Sequence, residues 1–235
     1  MKISLALPFH NEKENLKILL PLIEKNLLKI DKYSYEVNLV DDLSNDESFE
    51  ECEKFINSTK SKVIFNLFRL EKKGFQSGAL KKGFYESTGD YIICMDTDLQ
   101  DDPEYLPNFI EKISNNFEIV IGLRKNRKAP SILRSGLKVY DYIFEKIFKK
   151  NLTTYRAQFA AYKSNYVKNL PWFKNDHRYL IPVAINRGAN LISEIDIIFK
   201  ERKIGRSHYN RYLKVFWGVI ELGIFLFRLR SGKYN

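Results

Sequence analysis

Residues 91–104 read Tyr-Ile-Ile-Cys-Met-Asp-Thr-Asp-Leu-Gln-Asp-Asp-Pro-Glu. An apolar run of five, too short for a helix, ends abruptly in carboxylates, and Pro103 then suits the first turn of a new helix. A short continuous apolar run of this kind fits a strand covered on both faces. The same unit recurs upstream. Ile3–Phe9, Tyr35–Val40 and Val63–Leu67 read as strands, and Ile119–Gly122 as a fifth. Between them lie segments with helical spacing, such as Leu16, Leu19, Leu20, Ile23 and Leu27 within 12–28, a segment capped by Ser44 or Asn45 that runs to about Ile56, and 76–87 with small residues at Gly78, Ala79 and Gly83. Strands alternating with helices imply right-handed crossovers and a mostly parallel α/β sheet flanked by helices.

In such sheets ligands bind beyond the carboxyl ends of the strands. Two acidic clusters fall there: Asp41-Asp42 after Val40, and Asp96-Thr97-Asp98 after Met95. Asp is also a common turn and cap residue, so each pair alone says little. Two clusters on one sheet edge say more, because gathered carboxylates repel unless a cation joins them. Hard ions such as Mg²⁺ or Mn²⁺ prefer oxygen ligands and can bridge a diphosphate.

The 235 residues, 44% hydrophobic and 14% aromatic, suffice for one well-packed domain and argue against disorder. Cys52 and Cys94 stand far apart, with no CxxC or Cys/His cluster, as expected of a reduced, cytoplasmic protein without a zinc site. The first apolar run is too short for a secretory h-region and reads as a strand. A net charge of +10, concentrated beyond residue 120, points to an anionic partner: nucleic acid, a membrane surface or a phosphorylated substrate. A nucleic-acid face would avoid uncompensated acids, so the four strand-end aspartates speak against that partner.

The 91–104 string resembles the DxD region of family 2 glycosyltransferases, above all the polyprenyl-phosphate glycosyltransferases such as dolichol-phosphate mannose synthases. Four further stretches agree in order. Leu7 to Asn15 (LPFHNEKEN) resembles the family's P-x-x-N-E-x-x-N, and Val40 to Asp46 (VDDLSND) resembles VDDGSTD. Gly78 to Asp90 resembles the helix and turn before the metal strand, and Arg202 to Tyr209 (RKIGRSHY) resembles R-x-x-G-x-S-K-Y. Leu43 replaces a Gly, Asp102 a Pro and His208 a Lys, and 153–159 matches only loosely.

The resemblance implies a GT-A fold in a single Rossmann-like domain over 1–211, with a nucleotide-sugar half at 1–123 and an acceptor half at 124–211. Pro8, Phe9, Asn11, Glu12, Val40, Asp41, Asp42 and Asp96 would line the nucleotide site. Asp96, Asp98 and Gln100 would hold Mg²⁺ or Mn²⁺. Arg124, Arg127, Arg134, Arg202, Arg206 and Ser207 would meet the diphosphate or the acceptor, with Asp98, Arg124 and Arg202 carrying the reaction. Arg forks suit phosphate oxygens. The expected reaction is inverting transfer from a UDP- or GDP-sugar to a polyprenyl phosphate at the cytosolic membrane face. The alternative acceptor is a hydroxyl of a surface glycan. No Glu-Asp pair or Q-x-x-R-W box follows the metal motif, and a phosphate acceptor needs no strong base, although Asp176 or Glu194 could reach the site. His10, His177 and His208 lack metal-ligand spacing.

Ser131–Lys150 reads as an amphipathic helix with Leu133, Leu137, Tyr140, Phe144 and Ile147 along one side. Phe216–Phe227 (FWGVIELGIFLF), at about 1.5 Å per residue, is too short for a roughly 30 Å hydrocarbon layer. Flanked by Trp217 and by Arg228, Arg230 and Lys233, the 212–235 segment is expected to lie in a membrane interface. Burial against the domain, or a partner surface such as a second copy of the chain, is the other expectation.

Overall fold

Pro8, Asp41, Arg69 and Met95 end up along one edge of a single sheet. The computed structural model describes residues 1–125, 131–200 and 211–234. Seven strands, β1 (Lys2–Phe9), β2 (Ser34–Asp41), β3 (Ile64–Arg69), β4 (Tyr91–Cys94), β5 (Ile119–Lys125), β6 (Ala160–Lys163) and β7 (Ile192–Ile198), are ordered β3-β2-β1-β4-β6-β5-β7. β1 pairs in parallel with β2 and β4, β2 with β3, and β5 with β7. β6 lies antiparallel between β4 and β5. The α/β reading with a mostly parallel sheet therefore holds. β6 was not foreseen.

Helices cover both faces. Alternate strand residues explain how, since successive side chains point to opposite sides. Ile3, Leu5, Leu7, Val37, Leu39 and Ile93 pack with α1 (Lys13–Leu27), α2 (Ser48–Ser58) and α4 (Leu106–Ser114). Leu16, Leu19, Leu20, Ile23 and Leu27 of α1 are all at most 1% exposed, the stripe the spacing predicts, each stabilising by about 1.5–3 kcal/mol. On the other face, Ala6, Ile92, Cys94, Ile121 and Tyr162 meet α3 (Phe75–Glu86), α5 (Ser131–Phe148), α7 (Leu180–Asn186) and α8 (Arg211–Arg230). The small α6 (Ser164–Val167) follows β6 directly. α3 crosses β1 closely: a Cβ on Gly83 would sit 3.1 Å from that of Ala6. That contact explains the glycine at 83.

One expectation needs correction. The buried side of α5 runs through Tyr140, Phe144 and Phe148, whereas Ile147 is exposed, because the neighbouring aromatics Tyr155 and Phe225 fix the helix rotation. The C-terminal helix runs from Arg211 to Arg230. It buries Phe225 and Leu229 and exposes Trp217, Val219, Ile220, Ile224 and Phe227. Among the described residues no helix is long and apolar enough to cross a membrane.

Candidate active site

Four loops leave the carboxyl ends of β1 to β4 and are stitched together. Asn11 Oδ1 accepts from Asn45 N, and Ser44 Oγ accepts from Asn11 N, both at 2.9 Å. Ser48 Oγ accepts from Glu12 N, and Thr97 donates its hydroxyl to the Pro8 carbonyl at 3.1 Å. Five non-glycine residues with left-handed backbone lie in or flank these loops: Asn11, Leu43, Glu47, Phe75 and Leu99, with φ between 52° and 64°. Each costs of order 1–3 kcal/mol, and such strain persists where surrounding contacts over-determine the turn. Leu43, in place of the family's Gly, still adopts the glycine-like turn.

The acidic pairs differ in exposure. Asp41 is fully buried. One of its oxygens takes Arg69 Nε at 2.6 Å, and the other takes Ser44 N and Oγ, so it braces the β2 exit. Asp42 accepts Gly74 N at 2.6 Å and lies 3.6 Å from Lys73 Nζ. Lys73 also reaches His10 Nε2 at 2.7 Å. Pro8, Phe9 and Val40 are buried, whereas Asn11 is exposed and Glu12 half-buried at the loop surface.

The β4 exit carries the densest charge. Arg124, on β5, forks onto Asp101 through Nε at 2.9 Å and Nη2 at 2.5 Å. It donates to Asp96 at 3.1 Å and to Gln158 Oε1 at 2.6 Å, and stacks over Phe199. Gln76 Nε2 takes the other Asp96 oxygen at 2.8 Å. Burial opposes the charge on Arg124, but its pairs with Asp101 and Asp96 outweigh that and raise its pKa. Burial pushes the Asp96 carboxyl above the usual range; Arg124 pulls it down, while Asp101 and Asp98 push it further up. Asp96 and Asp101 thus share one guanidinium, with the Asp98 charge close enough to act on Asp96, and the remaining negative charge suits a cation.

Among the described residues no group of three or more His, Cys, Asp or Glu forms a ready metal cage. Asp96 and Asp98 still fit a hard divalent ion as a donor set, because such ions keep waters and take substrate phosphates as the other ligands. Asp98 Oδ1 accepts from Gln100 N at 3.1 Å. The side-chain amide of Gln100 is turned to the Lys200 carbonyl at 3.4 Å, and its own carbonyl accepts from Lys200 N at 3.0 Å. Asp102 caps the turn of Pro103 and pairs with Lys200, so the Pro-to-Asp departure ties the β4 loop to the end of β7.

Arg127, Arg202, Arg206 and Ser207 lie outside the described residues, as does the Arg134 side chain. Residues not singled out by sequence are Gln76, Asp101, Gln158, Arg69 and Lys73. Asp101 stood inside the quoted string, whereas the two glutamines gain meaning only from contacts across 20 and 34 residues.

Residues 4–170 match the family described as glycosyl transferase family 2. The chain is 30% identical over 215 residues to the undecaprenyl-phosphate 4-deoxy-4-formamido-L-arabinose transferase of Pectobacterium atrosepticum, covering 91% of this chain and 64% of that protein. The Klebsiella pneumoniae protein of the same name is 29% identical over 211 residues, covering 89% and 63%. The chain therefore spans slightly less than two thirds of these relatives. In fold it is similar to S. aureus TarS 1-349, with TM-score 0.63 and 20% identity over 94% of this chain and 64% of that one. It is likewise similar to the glucosyl-3-phosphoglycerate synthase of Mycobacterium tuberculosis in complex with Mn²⁺ and UDP-glucose, with TM-score 0.65 and 14% identity over 94% and 77%. The motif order, the sheet and the match over most of the chain agree: the chain belongs to glycosyl transferase family 2.

Proposed function

We propose that the protein transfers a sugar from a nucleotide-sugar to a polyprenyl phosphate at the cytosolic face of a membrane. The observation that carries this reading is Asp96 paired with Arg124, which also holds Asp101, with the Asp98 charge beside Asp96 at the carboxyl end of β4. Asp96 and Asp98 would hold Mg²⁺ or Mn²⁺, which when bound supplies charge neutralisation for the departing diphosphate. Arg124 fixes the direction of Asp96 and brings a permanent positive charge beside it. Pro8, Asn11, Glu12 and Asp42 border the space for the nucleotide.

The candidate bases for a hydroxyl acceptor are occupied elsewhere. Asp176 accepts from Phe173 N and Tyr234 OH at 2.8 and 3.0 Å, and Glu194 accepts from Thr153 N and its hydroxyl, both at 2.8 Å. A lipid phosphate is already anionic and needs neither. The names of the relatives support that acceptor, and the UDP-glucose and Mn²⁺ of a structural neighbour support the donor class and the ion. The exposed apolar face of α8, with the exposed Arg230 and Lys233 beyond it, suits an anionic lipid surface.

The test is a panel of UDP- and GDP-sugars with Mn²⁺ or Mg²⁺ and polyprenyl phosphate in anionic vesicles. Label should enter the lipid phase and fall by at least about 10²-fold in Asp98→Ala. Label appearing only on a soluble glycan would replace the acceptor assignment.

A further inference from the structure

Each carboxylate oxygen of Asp96 is held by a donor from a different element. Arg124 Nη2, on β5, donates to Oδ2 at 3.1 Å, and Gln76 Nε2, on α3, donates to Oδ1 at 2.8 Å. The two donors differ in charge: the guanidinium is a permanent cation, the carboxamide is neutral. Both are themselves fixed. Arg124 forks onto Asp101, donates to Gln158 Oε1 and stacks over Phe199, so it is not free to follow Asp96. Gln76 lies in the first turn of α3, and its neighbours pin that turn. Gly74 N donates to Asp42 Oδ1 at 2.6 Å, and Ser77 Oγ donates to the Phe173 carbonyl at 3.4 Å.

Together the two contacts set the plane of the carboxylate. A carboxylate offers about four lone-pair sites, and these contacts take one on each oxygen. The Asp96 side chain keeps 18% of its surface exposed. Without Gln76 nothing would oppose the pull of the guanidinium, and the carboxylate could turn its second oxygen toward Arg124. The opposing donor has reason to be neutral. A second cation at position 76 would fix the carboxylate as well, but it would cancel the charge that a divalent ion needs.

We infer that Gln76 is a positioning residue for the divalent ion: it keeps the Asp96 carboxylate from turning onto Arg124 and so leaves lone pairs for the metal. The inference rests on the metal-dependent transfer proposed above and adds a residue outside the ligand set. Groups that orient a metal ligand in this way are worth about 10- to 100-fold in metal affinity.

The test is Mn²⁺ binding to wild type and Gln76→Met, with and without UDP, read from the electron paramagnetic resonance signal of the free ion. Methionine keeps the length of the side chain and removes the donor. The variant should bind Mn²⁺ about 10- to 100-fold more weakly, while its affinity for UDP in EDTA stays that of wild type. The Mn²⁺ concentration that half-saturates transfer should rise by the same factor, and saturating Mn²⁺ should restore the rate, which a merely structural glutamine would not allow. If the methionine variant does not fold, Gln76→Asn, whose amide is one methylene shorter, should show the same loss. Unchanged Mn²⁺ affinity, or an equal loss of UDP affinity in EDTA, would overturn the assignment. Wild type that takes up no Mn²⁺ with or without UDP would overturn the metal reading in the proposed function as well, whereas a metal-binding wild type matched by its variants sinks this inference alone.

Discussion

The two flanks of the sheet are built from different materials. Against β1 and β2 the helix α1 presents Leu and Ile at helical spacing, an aliphatic stripe. Beyond β4 the contacts of α5 and α8 centre on an aromatic cluster. Phe225 stacks on Tyr179 at 4.1 Å between centroids and meets Tyr234 at 5.4 Å and Phe144 at 5.9 Å. The first flank is specified by local periodicity, the second by pairings between residues far apart in the chain. The seam between them is ionic: Arg124 of β5 reaches back to Asp96 and Asp101 after β4.

Breaking that seam should have the largest effect. Arg124→Ala leaves Asp101, fully buried, without its bidentate partner. Removing one partner of a buried ion pair costs about 3–5 kcal/mol. Urea unfolding should show a loss of about 4 kcal/mol, and adding Asp101→Asn should restore more than half of it. Activity should be absent from both variants if Arg124 also serves the reaction. A single variant as stable as wild type would mean that the seam does not join the two flanks.

Phe225→Ala tests the aromatic flank alone. Removing a buried ring costs about 3–5 kcal/mol, and the lower end, about 3 kcal/mol, is expected because α8 lies at the surface and can settle inward. Nucleotide binding by the folded variant should be unchanged, since no contact of Phe225 reaches the loops after β1 or β2. A large drop in nucleotide affinity would show that the flanks are not separable.

The same contrast explains what could be read without coordinates. Strands such as Tyr91–Cys94 are buried on both faces, so they appear as continuous apolar runs. The carboxylates follow because a parallel sheet places every β-to-α loop at one edge. β6 escaped because Ala160–Lys163 is four residues long and its neighbours are antiparallel partners from distant segments. The rotation of α5 escaped because Ile147 and Phe148 are equally apolar, and the choice is made by Tyr155, which stacks on Phe148. Asp41 and Asp42 could be counted but not sorted, because burial of Asp41 under Arg69 depends on the end of β3. Glu221, which interrupts an apolar helix in the sequence, is explained by Asn175 and Arg178 on the turn it holds.

That turn supplies the smallest effect, a pH dependence placed on the aromatic flank. Burial lowers His177 from 6.5 to about 4. A base with a depressed pKa is bound by more protons in the unfolded chain, so its contribution is whole above about pH 6.5 and lost as pH falls toward about 4. Discounted for partial exposure, that contribution is about 2 kcal/mol. Neighbouring Asp176 acts in the opposite sense: burial raises its carboxyl, so its contribution is whole below the ordinary Asp range and is lost as pH rises through the raised value. The difference between wild type and His177→Gln isolates the imidazole from Asp176, which both proteins retain. Unfolding free energies measured from pH 4 to pH 7 should therefore converge in wild type and variant as pH falls, if the variant is the less stable at pH 7, and otherwise diverge. Parallel curves over that range would place a solvated, freely titrating imidazole at 177 instead of a buried one.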